Sequence, residues 1–305
     1  MLAVTREPFS TEKASPKILN TLLSLRKQGY SKSSLKFVSK ALKFLSNHCN
    51  LDNPENVKLF IARYDSASSY KRNLCYAYNH YLSYVGLSWT SPKYHASNKL
   101  PKIPIEEKLN MLISASYPSL ALKLSISKET GLRPIELCRL RVKDVDLEQG
   151  IIYPQTAKGG SGRALKIRAK TLRMLNSYIS KHNLSLNDKL FKGDSDYYSK
   201  KFRYVRNRLA KKLNDPSIKS IRLYDLRHFF ATMLYHRTKD ILFVKQQMGH
   251  RKIETTLVYT QFLDMKDEEF TVRTAKTVKE ASELIESGFE FVNEIDGTAL
   301  YRKRK

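Results

Sequence analysis

Residues 88–103, Ser-Trp-Thr-Ser-Pro-Lys-Tyr-His-Ala-Ser-Asn-Lys-Leu-Pro-Lys-Ile, show no apolar period and carry two prolines and three lysines. The chain on either side of them is helical in pattern. Such a break reads as a linker between separately folded parts. A chain of 305 residues is long enough for two. The expected organisation is therefore an N-terminal domain over 1–87, the linker 88–103, a second domain over 104–262 and a C-terminal segment over 263–305.

The first part reads as four helices. Ile18, Leu22 and Leu25 share one face, and Leu35, Val38, Leu42 and Leu45 form the next stripe. Asn53-Pro54-Glu55 opens a third helix, with Asn53 as cap and Pro54 in the first turn. A fourth, from about Ser66 to Val85, carries Tyr70, Tyr76, Tyr78, Tyr81 and Tyr84, a stripe suited to core and rim packing. Lys36, Lys40 and Lys43 repeat at helical spacing on the second helix. They are either a solvated face or phosphate contacts.

After Pro104 the pattern is again helical until Gly150. Ile151–Tyr153 and Ala164–Ile167 then read as two strands around the glycine-rich loop Thr156-Ala157-Lys158-Gly159-Gly160-Ser161-Gly162-Arg163. Helices return near Thr171. Residues 195–214 include Arg203 and Arg206 in a strongly basic run. Beyond residue 262, Ala275–Ser287 reads as an amphipathic helix, and Phe289–Val292 with Thr298–Tyr301 as a hairpin. The fold class expected is mainly α with a small β-hairpin or sheet: an α+β second domain behind an all-α first one.

The formal net charge is +26 with 41% hydrophobic residues. That content supports real cores, while so large a charge opposes folding through self-repulsion and points to a polyanionic partner. Double-stranded DNA is the partner expected; no membrane role is, since no apolar run approaches spanning length. Cys49, Cys75 and Cys138 lack metal spacing and are odd in number, which suits a reducing cytoplasm. No signal-peptide pattern opens the chain. No acidic cluster offers a catalytic metal site, and no cofactor is expected.

Chemistry is concentrated in four stretches: Thr130-Gly131-Leu132-Arg133-Pro134-Ile135-Glu136-Leu137, Leu223-Tyr224-Asp225-Leu226-Arg227-His228, Met248-Gly249-His250 and Thr255-Thr256-Leu257-Val258-Tyr259-Thr260. Gly131 can end one helix and Pro134 begin the next, which puts Arg133 at a helix N-terminus. Arg133 is then either an anion clamp or a surface arginine paired with Glu136. Arg227 is flanked by apolar core positions, unusual for a solvated charge. Two arginine forks can neutralise the non-bridging oxygens of one phosphate. His228 reads as a residue that holds the start of its helix.

In order and content these stretches resemble the signature boxes of the tyrosine recombinases, the λ-integrase-like family of phage and archaeal integrases and Xer-type recombinases. The tail from Gly288 to Lys305 is similar to archaeal integrases. The resemblance implies a two-domain DNA clamp whose N-terminal part is the core-binding domain. It makes Arg133 and Arg227 phosphate clamps, His250 a phosphate hydrogen-bonder and Tyr259 the nucleophile. A lysine expected in the β-hairpin turn matches Lys158, with Lys166 on the second strand as rival. Three residues before its second arginine the family usually has His, sometimes Lys; here stands Tyr224. A phenol with its ordinary pKa of about 10 is a donor and a poor base at neutral pH. Either Tyr224 only orients the phosphate, or another group receives the proton of Tyr259.

The activity implied is site-specific DNA recombination through a 3′-phosphotyrosyl link, without metal or ATP, by a tetramer on two DNA sites. The role is either integration of a mobile element or Xer-type resolution of DNA dimers. By the same resemblance the chain opens almost directly on the core-binding domain, which favours a simple-site enzyme. The competing readings are a type IB topoisomerase-like relaxing activity and a degenerate recombinase that only binds DNA.

Overall fold

The computed structural model describes residues 14–95, 100–157, 159–265, 270–295 and 297–304. The chain divides between residues 99 and 100 into two units.

The first unit is built from α1 (Ala14–Lys27), α2 (Lys32–Ser46), α3 (Pro54–Arg63) and α4 (Ser68–Val85). Ser31 caps α2 by accepting from the Ser34 backbone N–H, and Asn53 caps α3 through that of Asn56. The apolar stripes meet in one core of Ile18, Leu25, Val38, Leu42, Leu45, Val57, Ile61 and Leu74. The tyrosines of α4 divide by face. Tyr78 and Tyr81 are buried and donate to the Leu51 carbonyl and to Asp52 Oδ1, each at 2.7 Å, while Tyr70, Tyr76 and Tyr84 are exposed. Part of the expected linker belongs to this unit. Trp89 and Tyr94 pack on its core, and Trp89 Nε1 donates to Asn79 at 2.6 Å.

The second unit begins with α5 (Glu106–Ser114), α6 (Pro118–Thr130) and the single turn α7 (Pro134–Leu137). Three two-residue strands follow: β1 (Val145–Asp146), β2 (Ile151–Ile152) and β3 (Leu165–Lys166), an antiparallel sheet in that order. The chain continues through α8 (Ala169–Lys181), α9 (Ser195–Lys212), the turn α10 (Ser217–Ser220), α11 (Asp225–Thr238), α12 (Ile241–Met248) and α13 (Glu254–Leu257), with a 3₁₀ helix over Val258–Met265. One core under α6 joins Leu124, Ile126, Ile152, Leu165, Leu175, Phe191, Phe202 and Phe229. A smaller cluster of Ala231, Leu234, Val244, Met248 and Tyr259 binds α11, α12 and the 3₁₀ helix.

The C-terminal residues form β4 (Phe270–Ala275), α14 (Val278–Glu286), β5 (Glu290–Ile295) and β6 (Thr298–Arg304), a sheet of order β4-β6-β5. The helix and hairpin match expectation, and β4 adds a third strand. Among the described residues no helix is long and apolar enough to cross a membrane.

Candidate active site

Glu136 is the hub. Gly131 takes the left-handed conformation (φ 60°) and closes α6, and Pro134 starts α7. This one-turn helix buries Glu136 completely. Its carboxylate accepts from the Arg133 backbone N–H (3.0 Å), Arg133 Nη1 (2.8 Å), the Ala157 N–H (3.1 Å) and Arg163 Nη2 (2.6 Å). Burial by itself would raise its pKa. The hydrogen bond and charge of Arg163, with the two backbone donors, outweigh burial and hold it at about 2. The expected pairing of Arg133 with Glu136 thus exists, but in the interior. The carboxylate also takes the backbone N–H at the start of this helix.

Arg163 has a fully buried side chain and completes this cluster. In the sequence it stands at the end of the glycine-rich loop. The signal was period 2: Arg163, Leu165 and Ile167 are buried while Ala164 and Lys166 are exposed, so the strand alternation extends one step into the loop. Its neighbours need the glycines. A Cβ on Gly249 would lie 2.8 Å from Arg163 Nη1, and one on Gly160 would lie 2.8 Å from the Gly249 carbonyl. Ala157 and Arg163 are thus held on Glu136, and Gly160 lies close against the Gly249 carbonyl.

Arg227 is 1% exposed. Nη1 donates to the Gly131 carbonyl at 2.5 Å, and Nη2 to the Met248 carbonyl at 2.6 Å and to His250 Nε2 at 3.1 Å. Among the described residues its Nε has no hydrogen-bond partner. Burial, then the charge of Arg133, pushes its pKa down to about 10, so it stays charged at neutral pH. His250 lies 3.0 Å from Thr256 through Nδ1. Burial, then the charges of Arg227, Arg133 and Arg163, pushes its pKa down to about 4. The imidazole is thus neutral at pH 7.

Tyr259 is the second residue of the 3₁₀ helix and is 3% exposed. Its hydroxyl lies 3.0 Å from His228 Nδ1. Burial raises its pKa to about 12, with Arg227 pulling the other way. His228 therefore touches the tyrosine, a contact its helix-start reading had not included. Tyr224 is 44% exposed at the start of α11, its ring centroid 5.2 Å from that of His228.

Six of the expected residues lie together: Arg133 pairs with Glu136, Arg227 meets His250 and His228 meets Tyr259, and the charges of Arg133 and Arg227 act on both His250 and Tyr259. Lys158 lies outside the described residues. Lys166 is exposed, with Nζ donating to the Gln149 carbonyl. Lys36, Lys40 and Lys43 are exposed on α2 in the first unit. On α9 Arg203 is exposed, whereas Arg206 is committed to the protein: Nη1 donates to the Ile221 carbonyl at 2.8 Å and the guanidinium holds Asn207. Among the described residues no group of three or more His, Cys, Asp or Glu is placed to hold a metal ion.

The family model described as the phage integrase family matches residues 105–266, over half of the chain, and spans the whole cluster. The chain belongs to the phage integrase family. Curated relatives that it matches are named tyrosine recombinases. It is similar to the tyrosine recombinase XerA of Saccharolobus solfataricus, 30% identical over 182 residues, which cover 59% of this chain and 58% of that protein. With XerA of Thermococcus kodakarensis it shares 27% over 276 residues, 88% of this chain and 82% of that one. Its fold resembles XerH site-specific recombinase bound to a palindromic difH substrate (TM-score 0.60, 21% identity, 93% of this chain and 92% of that one). It also resembles a λ integrase dimer bound to a COC′ core site (TM-score 0.61, 14% identity, 79% and 96%).

Proposed function

We propose that this integrase-family protein is a site-specific DNA recombinase in which Tyr259 is the nucleophile, Arg133 and Arg227 hold the scissile phosphate, and His250 joins them as a donor once the phosphate takes its place on Arg227. The observation that carries this is charge. Three interior guanidiniums, Arg133, Arg163 and Arg227, face one carboxylate, Glu136, so two positive charges are left beside a buried tyrosine. An unmatched buried charge is costly, and a phosphodiester supplies the counter-charge. Arg227 has five N–H donors and spends three on Gly131, Met248 and His250. Two remain for phosphate oxygens.

Tyr259 attacks phosphorus in line, the 5′-hydroxyl leaves, and a 3′-phosphotyrosyl bond conserves the phosphodiester energy without ATP. The arginines stabilise the charge of the pentacoordinate phosphorane. Lys158 protonates the leaving oxygen. Tyr224 orients the phosphate as a donor. Lys36, Lys40, Lys43 and Arg203 meet the duplex backbone. Double-stranded DNA is the substrate, and four protomers on two sites exchange strands.

The test is to incubate the purified protein, in EDTA and without nucleotide, with a pool of nicked random-sequence duplexes. Adducts that survive denaturing gels are then sought. The wild type gives an adduct and Tyr259→Phe gives none. No adduct from the wild type on any duplex contradicts the proposal.

A further inference from the structure

A tyrosine whose pKa burial holds near 12 carries its proton at neutral pH, so attack needs a receiver for that proton. Around the site most candidate bases are occupied. Glu136 is held by four donors from Arg133, Ala157 and Arg163. His250 has Arg227 on Nε2 and Thr256 on Nδ1. Asp225 is paired with Arg222: Oδ2 accepts from its backbone N–H at 2.8 Å and Oδ1 lies 3.3 Å from its Nη2. Tyr224 is itself a phenol. His228 remains, with Nδ1 3.0 Å from the Tyr259 hydroxyl.

The helix explains why two neighbours serve different ends. Successive residues on α11 turn through about 100°. Arg227 points to the Gly131 and Met248 carbonyls, while His228 points to Tyr259. Resting on the recombinase reading, we propose that His228 is a catalytic residue, the base that accepts the Tyr259 proton in cleavage and returns it in rejoining.

The step balances. The Tyr259 oxygen forms its bond to phosphorus as its proton passes to Nδ1, which makes His228 an imidazolium. The P–O5′ bond breaks and the 5′-oxygen takes its proton from Lys158. In rejoining, the 5′-hydroxyl attacks phosphorus and returns its proton to Lys158. The tyrosine oxygen leaves and recovers its proton from His228.

The surroundings suit a base. Burial lowers the His228 pKa; Asp225 opposes this, while Arg222 and Arg227 add to it. The other titratable groups facing it are Tyr224, Tyr259 and His250. The imidazole is thus kept neutral and ready at neutral pH. Protonation in acid removes the acceptor, so cleavage falls as pH drops through this lowered pKa.

The experiment is single-turnover cleavage of a nicked duplex recovered as an adduct with the wild-type protein. His228→Asn places an amide oxygen near the Nδ1 position, where it accepts the tyrosine hydrogen bond but cannot take up a proton. It is expected to bind the duplex within about twofold of wild type and to cleave ~10²-fold or more slowly at neutral pH. Its rate should rise about tenfold per pH unit as hydroxide replaces the base, whereas the wild type is flat above neutrality. His228→Ala should regain cleavage when imidazole is added. That rescue is a ratio within one preparation, so partial misfolding cancels. Cleavage by His228→Asn within about threefold of wild type, or slow cleavage with a wild-type pH profile and no imidazole rescue, overturns the assignment. Either result leaves the recombinase reading standing if Tyr259→Phe still abolishes the adduct. A wild type that forms no adduct on any duplex defeats that reading and this one together.

Discussion

Arg227 Nη2 lies 3.1 Å from His250 Nε2, and the contact fixes the state of the histidine. A guanidinium can only donate, so Nε2 is the acceptor and the single proton of the neutral ring sits on Nδ1, facing Thr256. In the DNA-free protein, nitrogen-detected NMR should show the Nδ1–H tautomer and a titration near pH 4. Because the folded pKa lies below the unfolded value of about 6.5, the unfolded state binds more protons between them. Stability from this group is full above pH 6.5 and is lost as pH falls toward 4. A His250 that titrates near 6.5 contradicts the arrangement.

Glu136 should be the residue whose loss is felt most. Removing it leaves Arg133 and Arg163 without their shared carboxylate in the interior. Glu136→Ala is expected to cost roughly 3–5 kcal/mol in denaturant unfolding, since breaking a buried ion pair strands its partner. The depressed carboxylate pKa adds an acid dependence. Its contribution is present above the usual carboxylate range and lost as pH falls toward 2.

Two glycines act on the clamp through space. A Cβ at Gly131 would lie 2.4 Å from the Phe230 ring, and the Gly131 carbonyl receives Arg227. A Cβ at Gly249 would meet Arg163 Nη1 at 2.8 Å. Both backbones have positive φ, so Ala adds strain of about 1 kcal/mol or more before any clash. Gly131→Ala and Gly249→Ala should lower Tm and adduct yield together. Gly86→Ala, also at positive φ but with nothing within 4 Å, should lower Tm slightly and leave the yield intact.

The helical framework was legible because its punctuation is local. Asn53-Pro54, Gly131 and Gly249 mark helix ends where the structure has them. Arg133, Arg227, His250 and Tyr259 stood out because each sits in a box whose neighbours define it. The contact between His228 and Tyr259 was not legible: 31 residues separate them, and only packing of the 3₁₀ helix on α11 brings them together. Arg163 carried a signal, the strand alternation, hidden by the glycines around it. β4 was missed because its apolar residues do not share a face: Ala275 is buried and Val272 is 58% exposed.

Leaving-group chemistry separates Lys158 from Lys166. A 5′-bridging sulfur departs as a thiolate and needs little protonation. Lys158→Ala should cleave the ordinary duplex slowly and the sulfur duplex near the wild-type rate. Arg133→Ala should be impaired on both. Lys166, whose Nζ is held on the Gln149 carbonyl, should be dispensable. Sulfur rescue of Lys166→Ala and not of Lys158→Ala moves the acid to the strand.

The most direct measurement is to digest the DNA adduct with protease and nuclease and sequence the modified peptide by mass spectrometry. The account predicts one phosphotyrosine, at Tyr259, carrying a nucleotide through its 3′-phosphate. Attachment at Tyr224, or through a 5′-phosphate, contradicts it.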